Sequence, residues 1–109
     1  MTNDISAGNI RVTVLYPRAV GTTFDTDYWL SNHFDLVANG VWKNALDIDF
    51  SVSNDAAPFY GIAQVVFSDK ATHAACMADP AMAEVPADIA KYTNTAPVVF
   101  ISEVARTTD

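Results

Sequence analysis

The feature that most constrains the fold is a run of apolar residues from Tyr60 to Phe67, interrupted mainly by Gln64. A strand with one face in water alternates apolar and polar residues, whereas a nearly continuous apolar run is typical of a central strand covered on both faces. A second run of this kind, Val98 to Ile101, lies in a strand predicted over Pro97–Val104. The sheet that contains both strands therefore needs a packed layer on each side.

Two further segments alternate as half-buried strands do. Ile10–Tyr16 places Ile10, Val12, Val14 and Tyr16 on its more apolar face. Val41–Ser53 alternates over a longer distance, which predicts one long strand that is bulged or curved.

The stretch Phe24–Gly40 predicts one amphipathic helix, with Asp25 as its N-cap and Gly40 as a left-handed stop. At about 100° per residue, its apolar arc is formed by Trp29, Leu30, Leu36 and Val37, with His33 near the centre. A second helical region begins after Ser68 or Asp69 and runs to about Ala78. Asp79-Pro80 interrupts it, and a further stretch follows to about residue 92.

The order strand, helix, strand, strand, helix, strand predicts an α+β fold of the ferredoxin-like βαββαβ type. In that fold a four-stranded antiparallel sheet carries both helices on one face, so the other face stays bare. A second subunit packing sheet on sheet supplies the missing cover, and we therefore expect a homodimer.

Length and composition restrict the function. The 109 residues suit a single domain over 1–109, with residues 1–9 as a loose lead-in and 105–109 as a tail. The formal net charge of −7 argues against binding to nucleic acid or to an anionic membrane surface. No secretory signal and no membrane-spanning run is recognisable, and the single cysteine cannot form an internal disulfide, so we expect a cytoplasmic protein.

His33 is the first candidate site residue, because it lies on the apolar arc of its helix. Imidazole exchanges protons near neutral pH, and in an apolar pocket it can act as general base on an acidic C–H or phenol. The competing interpretation is a buried histidine that is simply hydrogen-bonded. The helix pattern leaves both open.

Tyr16 and Tyr28 are the next candidates, since one ends the first strand and the other opens the helix. A phenol can orient a substrate carbonyl or donate to an oxyanion, or it can simply anchor an edge with its hydroxyl in water. Trp29 and Val37 flank His33 and are the predicted apolar contacts of a ligand. Gln64 either contacts that ligand or pairs within the barrel.

No metal or cofactor is expected. His73 and Cys76 lie three residues apart on a helix, but two ligands do not make a site. The sequence contains no glycine-rich phosphate loop, dinucleotide fingerprint or Cys/His cluster.

Three ordered pieces of the chain resemble the EthD family, named after a protein of ethyl tert-butyl ether degradation. They are residues 12–17 (VTVLYP), residues 24–28 (FDTDY) with His33, and residues 87–89 (ADI) followed by 92–93 (YT) and 97–99 (PVV). The resemblance extends from about residue 12 to residue 104. It implies a ferredoxin-like protomer, a dimeric α/β barrel, and a pocket between sheet and helices in each protomer.

Two functions follow from the residues and the resemblance together. The first is a small dimeric enzyme that binds an apolar or aromatic molecule between sheet and helices, with His33 in proton transfer and Tyr16 and Tyr28 positioning the substrate. Cofactor-independent oxygenase, cyclase and isomerase reactions are all compatible with it. The second is a non-catalytic small-molecule-binding or accessory protein that uses the same pocket.

Overall fold

The computed structural model describes residues 5–108. Its elements are β1 (Ile10–Pro17), α1 (Thr26–Tyr28), a π-helical turn (Trp29–His33), α2 (Phe34–Ala38), β2 (Asp47–Val52), β3 (Phe59–Phe67), α3 (Lys70–Ala78), a 3-10 turn (Pro80–Ala83), α4 (Glu84–Ile89) and β4 (Val98–Glu103). The strands form one antiparallel sheet in the order β2-β3-β1-β4. This is the ferredoxin-like arrangement, so the predicted α+β fold is confirmed.

The helices cover one face of the sheet, and the core lies between the two layers. Strand alternation places Ala63, Val65 and Phe67 of β3 on this face. One core cluster combines Ile10, Val37, Val41, Trp42, Val65, Phe67 and Cys76. A second, largely aromatic cluster combines Tyr16, Trp29, Ala63 and Tyr92, and it contains the residues relevant to function.

Gly61 allows the first helix to lie close to the sheet. A Cβ at this position would stand 2.8 Å from Cη2 of Trp29 and 2.8 Å from the carbonyl oxygen of Ser51. Only a residue without a side chain fits there, and Trp29 is fully buried as a result.

The first helix begins as the sequence predicts but is not one regular α-helix. Asp25 is the N-cap, and its Oδ1 accepts a hydrogen bond from the Tyr28 backbone N–H at 3.1 Å. The prediction of a single amphipathic helix over Phe24–Gly40 is wrong in its middle, where a π-helical turn widens the spacing. Leu30 is consequently 43% exposed instead of facing the core.

Gly40 ends the helical region for a different reason than predicted. Its φ is not positive, so it does not form the expected left-handed stop. A Cβ at Gly40 would instead lie 2.5 Å from the Leu36 carbonyl oxygen. The missing side chain lets the chain turn tightly, and the Trp42 N–H then donates to the Val37 carbonyl at 2.8 Å.

The long second strand predicted over Val41–Ser53 is half as long as expected. Residues 41–44 form turns that bury Val41 and Trp42 beneath the helix, and β2 begins only at Asp47. Alternation in residues 41–46 therefore reflects core packing at a helix end, because apolar residues in a turn can mimic a strand pattern.

The segment before β1 is attached to the sheet over its described part. Asn9 Nδ2 donates to the Ser68 carbonyl at 3.0 Å, and Ile5 packs with Val66 and Val104. Residues 1–4 of the predicted loose lead-in, and Asp109 of the predicted tail, lie outside the described residues. Within residues 5–108, no helix is both long and apolar enough to cross a membrane.

The second face of the sheet carries a mixed surface. Cross-strand pairing places Ile62, Leu15 and Val98 in one row, and Gln64, Thr13 and Phe100 in the next. In β4, Val98 and Phe100 lie on this second face and are 48% and 49% exposed. Val99 and Ile101 pair with the core-side residues Val14 and Val12, so they lie on the helical side of the sheet. With Leu15 and Ile62 in the same row as Val98, the second face carries an apolar patch, and such a patch marks an interaction surface.

We predict that the chain is a homodimer that buries this second face. Light scattering at low micromolar concentration should return twice the 11.8 kDa chain mass. Phe100→Glu should shift the protein to monomer, because it places a charge in the apolar interface.

Leu30→Glu is the matched control, since Leu30 is equally an exposed apolar residue but lies on the helical side. It should leave the dimer intact. A monomeric wild-type protein at this concentration would contradict the prediction.

Candidate functional site

A hydrogen bond between His33 and Asp88 connects the first helical region to α4. His33 Nδ1 lies 2.8 Å from Asp88 Oδ2, and the two side chains are only 3% and 8% exposed. The residues are 55 positions apart, and the fold brings them together by placing both helical regions on the same face of the sheet. A histidine paired with a buried carboxylate is a common arrangement for controlled proton transfer.

The π-helical turn aligns His33 with the core. In a regular α-helix, side chains four apart drift around the axis, whereas an i→i+5 turn reduces that drift. Trp29, His33 and Val37 therefore lie in one row, and all three are buried against the sheet. Such turns within α-helices occur frequently at functional sites.

Two tyrosines lie on the Nε2 side of the His33 imidazole, opposite Asp88. The Tyr92 hydroxyl lies 3.4 Å from His33 Nε2, and it makes a 2.8 Å hydrogen bond with the Tyr16 hydroxyl. Tyr16 and Tyr92 are both buried, and their rings pack edge to face. The 3.4 Å separation exceeds the usual hydrogen-bond range of about 2.7–3.2 Å, so Nε2 is the weakly bonded nitrogen of the ring.

The Asp88 carboxylate has two further partners. The Tyr28 hydroxyl donates to Oδ1 at 2.8 Å, and Lys91 Nζ lies 3.6 Å from the same oxygen. With His33 on Oδ2, both carboxylate oxygens are occupied. Burial acts to raise the pKa of Asp88, but the hydrogen bonds from His33 and Tyr28, together with the Lys91 charge, outweigh it and hold the pKa below its ordinary value.

His33 is held in the neutral form. Burial lowers its pKa, and the hydrogen bond and charge of Asp88 offset this effect only in part. A charged Asp88 accepts only, so the proton of neutral His33 lies on Nδ1 and leaves a lone pair on Nε2. The Tyr92 hydroxyl then donates toward Nε2, and Tyr16 donates to Tyr92.

The two buried phenols stay protonated. Burial raises the pKa of Tyr16, and the adjacent polar groups of Tyr92 and Trp29 act in the opposite direction. Burial also raises the pKa of Tyr92 strongly, and the neighbouring Tyr16 adds to the effect. Hydrogen bonds therefore connect Tyr16 to Tyr92, Tyr92 to His33, and His33 to the Asp88 carboxylate.

A cleft of about 290 Å³ leads from solvent to the Asp88 end of this hydrogen-bonded series. It is lined by Leu36, Glu84, Ala87, Asp88 and Lys91. The Asp88 carboxylate is therefore the point at which the cleft meets the buried residues.

The structure brings together three of the predicted site residues and separates another. His33 and Tyr28 both contact Asp88, and Tyr16 joins them through Tyr92. Trp29 and Val37 are fully buried core residues beside this group. Gln64 pairs with Thr13 and alternates with the core residues Ala63 and Val65, so it lies on the opposite face of the sheet. Of its two predicted roles, contact with a ligand between sheet and helices is therefore wrong, and pairing within the barrel stays a prediction.

Sequence analysis did not identify Asp88 and Tyr92 as site residues. Both belong to the pieces that resemble the EthD family, and they lie four positions apart at the end of α4. Tyr92 lies in the turn after α4, which ends at Ile89, so helical periodicity does not relate the two residues and their place in the resembling pieces was the available signal.

His73 and Cys76 are not part of this site. Burial raises the pKa of the Cys76 thiol, and the nearby Asp79 charge adds to it. Over the described range 5–108, no three His, Cys, Asp or Glu side chains lie close enough together to hold a metal ion.

No protein-family model matches the chain. No curated protein matches it. Among solved structures, an EthD-like protein from Ralstonia eutropha JMP134 is 31% identical, with 90% of this chain and 93% of that chain covered at a TM-score of 0.74.

Two more distant structures share the fold. An ethyl tert-butyl ether degradation (EthD) family protein from Bacillus halodurans C-125 is 14% identical, covering 87% and 97% of the two chains at a TM-score of 0.66. SnoaB, a cofactor-independent oxygenase from Streptomyces nogalater, is 10% identical, covering 94% and 98% at a TM-score of 0.71. Given the 31% identity to the Ralstonia protein over nearly the whole of both chains, this chain belongs to the EthD family, as its sequence pattern predicted.

Proposed function

We propose that this protein is a small dimeric enzyme, a single domain per chain, that removes a proton from an apolar or aromatic molecule bound between sheet and helices. His33 is the general base in this proposal. The observation that carries it is the buried hydrogen bond from His33 Nδ1 to Asp88, opposite an Nε2 whose own partner is 3.4 Å away.

The chemistry follows from the protonation states. A neutral imidazole can accept a proton at Nε2, where the electron pair is held only weakly by Tyr92. The proton moves from an acidic C–H or phenol of the substrate to Nε2, and the electron pair of the broken bond stays on the substrate. Asp88 then stabilises the imidazolium through Nδ1, so it acts as a positioning residue.

The tyrosines would guide the same step. Once Nε2 carries the proton, it donates to the Tyr92 oxygen and frees the Tyr92 hydroxyl proton to hold a developing oxyanion, while Tyr16 keeps its hydrogen bond to Tyr92. The raised pKa values of both phenols keep their protons in place. Tyr28 fixes the Asp88 carboxylate from the other side. Because SnoaB has this fold and is a cofactor-independent oxygenase, a protein of this architecture can carry out oxygenation without a cofactor.

The second candidate is a non-catalytic binding or accessory protein, which the burial of His33 favours. A core histidine with a partner near each ring nitrogen also satisfies purely structural needs. Loss of stability in His33→Ala does not separate the two functions, because that change leaves Asp88 without its partner in either case.

Proton removal can be measured without knowing the final product. Anthrones and β-diketones carry an acidic C–H, and its exchange with D₂O is followed by NMR with and without the protein. The wild-type protein should accelerate exchange of at least one of these compounds. His33→Asn should reduce that acceleration by about a hundredfold or more, the typical contribution of a general base.

Asp88→Asn should also slow exchange, and it should shift the pH profile, as expected of a residue that acts through the imidazole. Asp27→Asn is the matched control, because Asp27 is an exposed carboxylate in the same helical region. It should keep wild-type rates. Exchange that is equally fast in His33→Asn and in wild type would rule out the general base, and no acceleration of any compound would favour the accessory protein.

Acid should destabilise the fold through His33. Its pKa is lower in the folded state than its unfolded value of about 6.5, so the unfolded chain binds the proton more readily. The stabilisation is complete above about pH 6.5 and is lost as the pH falls from there toward the folded pKa. The pKa of Asp88 is also lowered by folding, so its contribution to stability is likewise lost on acidification, but only below about pH 4.

Urea unfolding at fixed protein concentration between about pH 7 and pH 5 tests this. The free energy of unfolding should decline in wild type and much less in His33→Asn. Asn32→Ser, an exposed and uncharged change beside His33, should decline like wild type. A flat wild-type profile over this interval would contradict the neutral buried imidazole.

A further inference from the structure

A separate apolar cavity lies in the other half of the space between sheet and helices. Its volume is about 150 Å³, and it is bounded by β1, β3 and β4 on one side and by α3, the 3-10 turn and α4 on the other. The lining is almost entirely aliphatic, aromatic or thioether, including Val12, Trp42, Phe67, Met77, Met82 and Val85. His33 and its partners in the proton-transfer site do not belong to this lining.

One polar group breaks the apolar lining. His73 projects from α3 with its ring beside Phe67, at 5.5 Å between ring centroids. Its Nε2 atom is buried and has no hydrogen-bond partner. A buried nitrogen without a partner costs free energy that a ligand can recover by bonding to it.

We propose that this cavity is a binding site for a single-ring aromatic molecule with one hydroxyl group, whose hydroxyl bonds to His73 Nε2. The size of the cavity sets the ring, since an apolar cavity of about 150 Å³ holds one benzene molecule. The lining disfavours a charged ligand, because it offers no charged partner, although Met77, Val99 and Ile101 leave one side of the cavity open to solvent. A phenolic hydroxyl both donates and accepts, so it suits either tautomer of the imidazole.

Met77 and Met82 suit the walls of such a site. Methionine side chains are flexible and polarisable, and they make favourable contacts with aromatic rings. Met77 is exposed at the mouth of the cavity, whereas Met82 is half-buried, so one can move aside while the other stays packed. This site is independent of the proposed proton transfer at His33, and either proposal can fail while the other holds.

Phenol and benzene are the matched probes, because they differ only in the hydroxyl group. Calorimetric titration of the full chain should show saturable binding of both, with phenol bound about tenfold more tightly, the value of one buried hydrogen bond. His73→Leu should remove that preference and leave benzene binding nearly unchanged. Val85→Phe should abolish binding of both by filling the cavity, while Ala83→Phe, an exposed position in the neighbouring turn, should not.

A second readout uses the unaltered protein and stands even if a variant fails to fold. The chain has three methionines, and ¹³C-methyl labelling gives each one a signal. Phenol should shift the signals of Met77 and Met82 together. Equal affinity for phenol and benzene in wild type would overturn the role of His73, and binding without a shift at Met77 and Met82 would overturn the site. Absence of saturable binding, as when a second copy of the chain covers the cavity, would overturn the proposal altogether.

Discussion

The contact on which the site depends is the hydrogen bond between His33 and Asp88 across the two helical regions. It fixes the proton on Nδ1, directs the Nε2 lone pair toward Tyr92, and holds a charged carboxylate in the core. The surrounding residues position this contact. Gly61 has no side chain, so Trp29 can pack against the sheet, and the π-helical turn aligns Trp29 with His33. Tyr28 and Lys91 satisfy the remaining carboxylate oxygen. Removing His33 alone would leave the buried Asp88 carboxylate without its partner, which would lower the free energy of unfolding.

The fold could be predicted because its signals are local. The apolar run in β3 identified a central strand, and Asp25 marked one helix start. Ser68 or Asp69 was predicted to start the next helix, and Asp69 is the residue that accepts the capping backbone hydrogen bond. The errors have a common cause. In residues 41–46 and at Leu30 the side-chain pattern was interpreted with an ideal period, while the chain departs from that period through turns and a wide helical turn.

The site could be predicted only in part, because its decisive contacts are distant in sequence. His33 was found from its place on an apolar helix face, and Tyr16 and Tyr28 from their positions at element ends. Asp88 and Tyr92 come from a helix end that carries no periodic signal, and they meet His33 only through the fold. The two roles of Gln64 stayed open in the sequence, because a polar residue in an apolar strand does not reveal which face of the sheet it occupies.

The most direct test of this account is the protonation state of His33, measured by long-range ¹H–¹⁵N NMR of the imidazole at about pH 7. The account predicts a neutral ring with its proton on Nδ1, and loss of this tautomer preference in Asp88→Asn. It also predicts an Nε2 signal typical of a lone pair that accepts a weak hydrogen bond. A ring protonated on both nitrogens, or a neutral ring with its proton on Nε2, would contradict it.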